Sequence, residues 1–175
     1  MTLFRRAPAG LVASGVLFIA MFQAVPAHAN TELMLVNHKT AKCATIAGGV
    51  SPDNNVKSVQ FDCDSDKSRR WTLHERPGDD IYMIRNALTG KCLTIAGGES
   101  TDNNVIAVQF TCDNHPSRTW RLRDVTGTGI YQIRNVQTGK CLTIAGGTST
   151  ANNVDVLQFS CDNDPSRRWT LKLKP

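Results

Sequence analysis

Three times in this chain a cysteine is followed two residues later by a threonine, giving Thr45 after Cys43, Thr94 after Cys92 and Thr143 after Cys141. Twenty residues beyond each comes a second cysteine, Cys63, Cys112 or Cys161, followed directly by Asp64, Asp113 or Asp162. Two residues further stand Asp66, His115 and Asp164, and then Arg69, Arg118 and Arg167. Hydroxyl, carboxylate and imidazole groups in one short constellation could move a proton, hold a metal or hydrogen-bond a polar ligand. Proton transfer is the poorest fit. Neither a nucleophile elbow nor a paired-acid motif is present, and of His38, His74 and His115 none recurs in all three places, so the chain is not expected to be an enzyme. Zinc would want cysteine ligands two to four residues apart, no C-x-x-C occurs, and no metal or other cofactor is expected. Hydrogen bonding to a neutral polar ligand remains, beside a plainer alternative. Asp, Asn and Ser before Pro initiate turns, and the arginines can hold such turns by pairing with their acids, Arg118 with Asp113 and Arg167 with Asp162.

The elements that would position these residues come from an internal repeat. TGKCLTIAGG begins at Thr89 and again at Thr138, and TAKCATIAGG begins at Thr40, at a constant spacing of 49 residues. Residues 82–122 and 131–171 share 29 of 41 positions without a gap, and residues 33–73 follow the same frame. Each unit reads as four short strands, for example Y-Q-I-R-N-V, K-C-L-T-I-A, V-D-V-L-Q-F-S-C and W-T-L, separated by polar or Gly-rich loops. Amphipathic helical periodicity is absent. Four-strand blades need about four to eight copies to close a propeller, and there are three. Twelve strands in three units can protect their edges by forming a short barrel capped by three hairpins, so the expected fold is an all-β β-trefoil. Its core is expected from Trp71, Trp120 and Trp169, from Phe61, Phe110 and Phe159, and from Ile46, Ile95 and Ile144. The Asn54-Asn55 pair and its copies read as loop residues.

Arg5-Arg6, the apolar run from Leu11 to Phe22 and Ala27-His28-Ala29 have the three parts of a secretory signal over residues 1–29. Residues 30–175 would then form one domain. The whole chain has a net charge of +5, and without Arg5 and Arg6 the remainder carries +3, its cations interleaved with acids. That pattern offers no stripe for a nucleic-acid backbone, and no apolar segment long enough to span a membrane remains after the signal. Six cysteines in an exported chain favour disulfides, and equal spacing pairs Cys43 with Cys63, Cys92 with Cys112 and Cys141 with Cys161.

K-C-L-T-I-A-G-G, S-T-A-N-N, Q-F-S-C and S-R-R-W of the third repeat, with variants in frame in the other two, resemble the ricin B-type lectin family over all of residues 30–175. The resemblance implies a β-trefoil, a disulfide inside each repeat, secretion, and a shallow sugar pocket per repeat that binds a polysaccharide or cell-surface glycan. In that family an aspartate two residues after the first cysteine, an aromatic near the second, and the asparagine of N-Q-x-W hold the sugar. Here the aspartate position is Thr45, Thr94 or Thr143, and Asn-Gln is replaced by Ser68-Arg69, Ser117-Arg118 and Ser166-Arg167. A carboxylate accepts two hydrogen bonds from vicinal hydroxyls, whereas threonine offers one hydroxyl. For the aromatic two registers compete. Distance to the cysteine puts Phe110 and Phe159 in the pocket, whereas alternation with Val108 turns Phe110 to the core and gives the pocket position to Asp62, Thr111 and Ser160. The candidate sugar contacts are therefore Thr45, Asp64, Thr94, Phe110, Asp113, His115, Thr143, Phe159, Asp162 and Asp164. The rival reading is a protein-interaction module, an inhibitor or targeting subunit whose sugar sites have degenerated. Repeat one has Asp66-Lys67 where the others have His115-Pro116 and Asp164-Pro165, so its rim is expected to be the least preorganised.

Overall fold

The computed structural model describes residues 31–173; the expected signal at residues 1–29 lies outside them. Repeat one contributes β1 (Leu33–Asn37), β2 (Cys43–Ile46), β3 (Ser58–Phe61) and β4 (Trp71–Glu75). Repeat two contributes β5 (Ile81–Asn86), β6 (Cys92–Ile95), β7 (Ala107–Phe110) and β8 (Thr119–Asp124). Repeat three contributes β9 (Ile130–Asn135), β10 (Cys141–Ile144), β11 (Val154–Phe159) and β12 (Trp169–Leu173). One 3-10 turn precedes the last strand of each repeat, at Lys67–Arg69, Pro116–Arg118 and Pro165–Arg167.

Antiparallel pairing runs from β1 to β4, β5, β8, β9 and β12 and back to β1, which closes a six-stranded barrel without a free edge. The hairpins β2–β3, β6–β7 and β10–β11 cap it. This is the β-trefoil that three copies of a four-strand unit called for. Trp71, Trp120 and Trp169 are fully buried, packed with Ile46, Ile95 and Ile144 in one cluster that spans all repeats. Each indole N–H donates to a backbone carbonyl, of Ala44, Leu93 and Leu142, at 2.9–3.0 Å. An aromatic side chain covering 150–250 Å² contributes on the order of 4 kcal/mol by burial, and the ring nitrogen would cost part of that if it lacked an acceptor. Cys43–Cys63, Cys92–Cys112 and Cys141–Cys161 are bonded as the spacing indicates. Among the described residues no helix is long and apolar enough to cross a membrane.

The third strand of each repeat departs from expectation in two ways. It stops at Phe61, Phe110 or Phe159 and does not run on to the cysteine. Its inward-facing residues are also of the opposite parity. Ala107 and Val156 join the core, while the three phenylalanines are only half-buried and lie outside it. The glutamines beside them, Gln60, Gln109 and Gln158, are 0% exposed. Each Gln donates to two carbonyls of the loop before the third strand of a different repeat: Gln60 to Ser149 and Ala151, Gln109 to Ser51 and Asp53, Gln158 to Ser100 and Asp102. Each also accepts from the turn threonine of its own repeat, Thr40, Thr89 or Thr138, at 2.7–2.8 Å. The three clasps form a ring, each repeat holding the loop of the one before it.

Repeat one is worn at the turn before β2. Ala41 has φ 57°, where the matching Gly90 and Gly139 have φ 68° and 69°. A side chain at Gly90 would come within 3.0 Å of the Arg85 guanidinium, but Val36 occupies the arginine position in repeat one and leaves room. The left-handed conformation still strains alanine. Ala41→Gly is expected to raise stability by about 1 kcal/mol, and Gly90→Ala to lower it by more, as read from urea denaturation.

Candidate functional site

A cleft opens beside each capping hairpin, built from the same parts in all three repeats. After the second strand the chain turns through a Gly-Gly pair, Gly48-Gly49 in repeat one, with φ 70° and 73°. The second glycine N–H donates to Ile46 O at 2.9 Å, and an added Cβ there would lie 3.3 Å from Ser68 Oγ. Only glycine lets the turn take these angles so close to the serine. Cleft one, about 280 Å³, is lined by Thr45, this turn, Phe61, Asp66, Ser68, Arg69 and Asn153. Cleft two, about 430 Å³, holds Thr94, Phe110, His115, Ser117, Arg118 and Asn55. Cleft three, about 240 Å³, holds Thr143, Phe159, Asp164, Ser166, Arg167 and Asn104.

The threonines form the floors, at most 3% exposed. Thr45 Oγ1 donates to Ser68 Oγ at 3.0 Å, and Thr94 and Thr143 each contact a serine carbonyl and hydroxyl at 2.9–3.2 Å. The hydroxyl that replaces the family's aspartate therefore ties the second strand to the 3-10 turn. Phe61, Phe110 and Phe159 are cleft walls, which corrects their placement in the core. Alternation does put Val59 with Phe61 and Leu157 with Phe159 on one side of the strand, but that side faces the cleft. The guanidinium of Arg69, Arg118 or Arg167 lies 4.4–4.5 Å over the ring, so phenyl and guanidinium form one platform.

Asp64, Asp113 and Asp162 do not line the clefts. Each accepts from the backbone N–H two residues on at 2.9 Å and pairs with the arginine Nε, as in Asp113–Arg118 at 3.0 Å and Asp162–Arg167 at 3.3 Å. They are turn residues whose negative charge is directed at the arginine. Asp62, Thr111 and Ser160 are elsewhere too, held by Lys42, Lys91 and Lys140 and by Asn152, Asn54 and Asn103 of another repeat.

Asp66, His115 and Asp164 do reach the clefts, each capping a 3-10 turn. Hydrogen bonds from the backbone N–H and hydroxyl of Ser68 hold Asp66 below the ordinary carboxylate range against the opposing effect of burial, with Arg69 helping. Ser166 and Arg167 act on Asp164 in the same way. His115 Nδ1 lies 2.8 Å from Ser117 Oγ and accepts from Ser117 N–H at 3.2 Å, which puts the proton of the neutral ring on Nε2. The cap of repeat one has φ −64° and ψ 136°, against −67° and 132° in repeat two and −63° and 131° in repeat three. Its rim is as well formed without proline as the others are with it.

The fold and the threefold clefts place the chain among known proteins. The family description "Ricin-type beta-trefoil lectin domain-like" matches residues 21–110, 71–159 and 116–174. The chain belongs to the ricin-type β-trefoil lectin family. A search of curated proteins returns no match. Among solved structures, a designed threefold-symmetric protein, ThreeFoil, is similar at TM-score 0.75 and 23% identity, over 81% of this chain and 97% of that one. An exo-beta-1,3-galactanase from Clostridium thermocellum is similar at TM-score 0.77 and 26% identity, over 82% of this chain but only 30% of the enzyme. The Macrolepiota procera ricin B-like lectin, solved in complex with lactose, gives TM-score 0.68 and 17% identity over 83% and 96%.

This ricin-type domain completes each cleft with a residue that sequence reading set aside as loop. Asn55, Asn104 and Asn153 have φ 64–66° and their N–H groups donate to Gln109, Gln158 and Gln60 O at 2.8–2.9 Å. Their side chains are exposed on the lining of the next repeat's cleft. The available signal was the recurrence of Asn-Asn in all three copies. Each cleft thus offers an amide, an arginine, a capping acid or imidazole and an apolar ring, but one carboxylate at most. Among the described residues no cluster could hold a metal ion.

The capping acids give a pH dependence of defined sign. Their folded pKa values lie below the unfolded ones, so their contribution is complete above the unfolded value, about 3.9, and is lost as pH falls through the folded values. Asp66→Asn with Asp164→Asn keeps an acceptor for the cap while removing the charge. Melting temperature followed between about pH 5 and pH 2 should fall less steeply for this variant than for the parent.

Proposed function

We propose that this domain is a secreted, non-catalytic carbohydrate-binding module that recognises a polysaccharide or cell-surface glycan through three weak, equivalent clefts. The observation that carries the reading is the threefold recurrence of one polar cleft with a phenyl–guanidinium wall and a neighbour's asparagine at its rim. Amide, guanidinium and carboxylate groups can each bond a sugar hydroxyl, and the ring can pack against sugar C–H groups. Glycoside hydrolysis ordinarily needs two carboxylates flanking one bond, and no cleft has two. The lactose complex of the Macrolepiota procera lectin supports a sugar as the ligand class. Three disulfides and the signal-like N-terminus support secretion. Shallow clefts of this kind bind weakly one at a time and gain strength on a polyvalent surface.

One observation favours the rival, a protein-interaction module: the threonine hydroxyls and the arginine Nε groups are already bonded internally. A broad glycan array combined with pull-down on insoluble polysaccharides separates the two. Retention by at least one neutral glycan supports the sugar reading. Uniform failure by folded protein puts the protein-interaction reading in front.

A further inference from the structure

A fourth recess, about 220 Å³, opens between repeats two and three, away from the clefts, and is lined by Arg121, Arg134, Asn135, Val136 and Gly139. Arg121 on β8 and Arg134 on β9 are direct cross-strand partners, and both are exposed. Like charges set opposite one another destabilise an antiparallel pair. Arg134 is held by its Nε, which donates to Gly139 O at 2.8 Å and leaves its terminal nitrogens without partners among the described residues. The Arg121 side chain makes no hydrogen bond or ion pair among the described residues, and no acid lines the recess. Arg123, two residues along the same face of β8, is also exposed, and its side chain has no partner among the described residues.

The other two junctions show that the fold does not require this. Where β4 meets β5 the equivalent pair is Thr72 and Arg85, and the recess there includes Glu32. Where β12 meets β1 it is Thr170 and Val36. Two opposed guanidinium groups without a counter-charge occur at one junction of three, in a chain whose clefts otherwise repeat. Two planar forks presented in this way match an oxyanion, which accepts paired hydrogen bonds from each and removes the repulsion.

We propose that this recess binds the oxyanion substituent, a sulfate ester or a carboxylate, of an acidic polysaccharide. Arg121 and Arg134 grip the group, and Val136, 41% exposed, packs against the sugar that carries it. The polysaccharide as carrier rests on the function proposed above; the preference for an oxyanion does not.

The test uses the full chain and three probes on one backbone: dextran sulfate, carboxymethyl dextran and plain dextran, at about 0.15 M salt to suppress long-range attraction. Arg121→Gln with Arg134→Gln is compared with Lys39→Gln with Lys172→Gln, which removes the same charge from exposed positions elsewhere. Arg121→Gln alone is included because its side chain has no partner to lose among the described residues. The arginine double variant should bind one or both charged dextrans about tenfold more weakly or worse, as expected for lost charge-assisted hydrogen bonds. The single variant should show part of that loss, and the lysine control less than about twofold. Loss confined to one probe supports the site and identifies the substituent. Unchanged binding by the folded arginine variants, or an equal loss in the lysine control, overturns the proposal. Arginine-dependent binding of charged dextrans by a protein that retains no neutral glycan on the array would support the oxyanion site and count against the clefts.

Discussion

Replacing Gln109 with methionine should lower the stability of the domain by about 3 kcal/mol or more, although the two side chains are close in volume. Gln109 is fully buried, and its amide nitrogen reaches Ser51 O at 2.8 Å and Asp53 O at 2.7 Å while its oxygen accepts from Thr89 Oγ1 at 2.7 Å. Methionine fills the space but takes the amide away from two loop carbonyls and leaves the Thr89 hydroxyl only its 3.5 Å contact to Asn86 Oδ1 as a donor, at about 1–3 kcal/mol for each buried group left unsatisfied. The loop around Asp53 then loses its anchor on the neighbouring repeat, so the effect should appear in urea denaturation and in faster amide exchange at Asn55. Lys57→Ala, which removes an exposed ion pair with Asp155 at 3.3 Å, should change stability by less than about 0.5 kcal/mol. A Gln109→Met variant within about 1 kcal/mol of the parent would show that the ring of clasps does not hold the repeats together.

The same glutamine shows where the sequence could be read and where it could not. The repeat, the tryptophan positions and the cysteine spacing report on barrel, core and disulfides directly, because each depends on residues whose burial or bonding follows from their own chemistry. The Q-F pair inverts that logic. A polar residue is read as outward and a phenylalanine as inward, yet Gln109 is inward because loop carbonyls 56 and 58 residues away satisfy it, and Phe110 is outward because Arg118 covers its ring. The threonine floors were legible as departures from the family aspartate, but Ser117, the partner that explains Thr94, lies 23 residues away. Asn55 read as a loop residue because its contribution is made to another repeat. What escaped the reading was in each case a contact between repeats or across a loop, where the type of a residue does not reveal what satisfies it.

That asparagine also provides the cleanest test of the clefts, and the largest expected change in binding. Thr94→Ala is a poor probe, since it removes a structural hydrogen bond to the 3-10 turn. Asn55, Asn104 and Asn153 instead have φ 64–66°, a conformation glycine adopts without strain, and the backbone N–H that each donates to a glutamine carbonyl is kept. Asn→Gly at these positions should therefore leave the melting temperature within a few degrees of the parent while removing one amide from each cleft. If the amide bonds a sugar hydroxyl, its loss costs about 1 kcal/mol, roughly fivefold in affinity per cleft. On a surface that engages all three clefts the losses multiply, so the triple variant should be retained on immobilised polysaccharide about 100-fold more weakly. The capping geometry is the same in all repeats, so Asn153→Gly, which alters the cleft of repeat one, should weaken binding as much as Asn55→Gly or Asn104→Gly. Biolayer interferometry on a polysaccharide chosen from the glycan array, with circular dichroism to establish folding, measures both quantities. Full retention by the folded triple variant would remove the three clefts as the sugar site, whatever the domain proves to bind elsewhere.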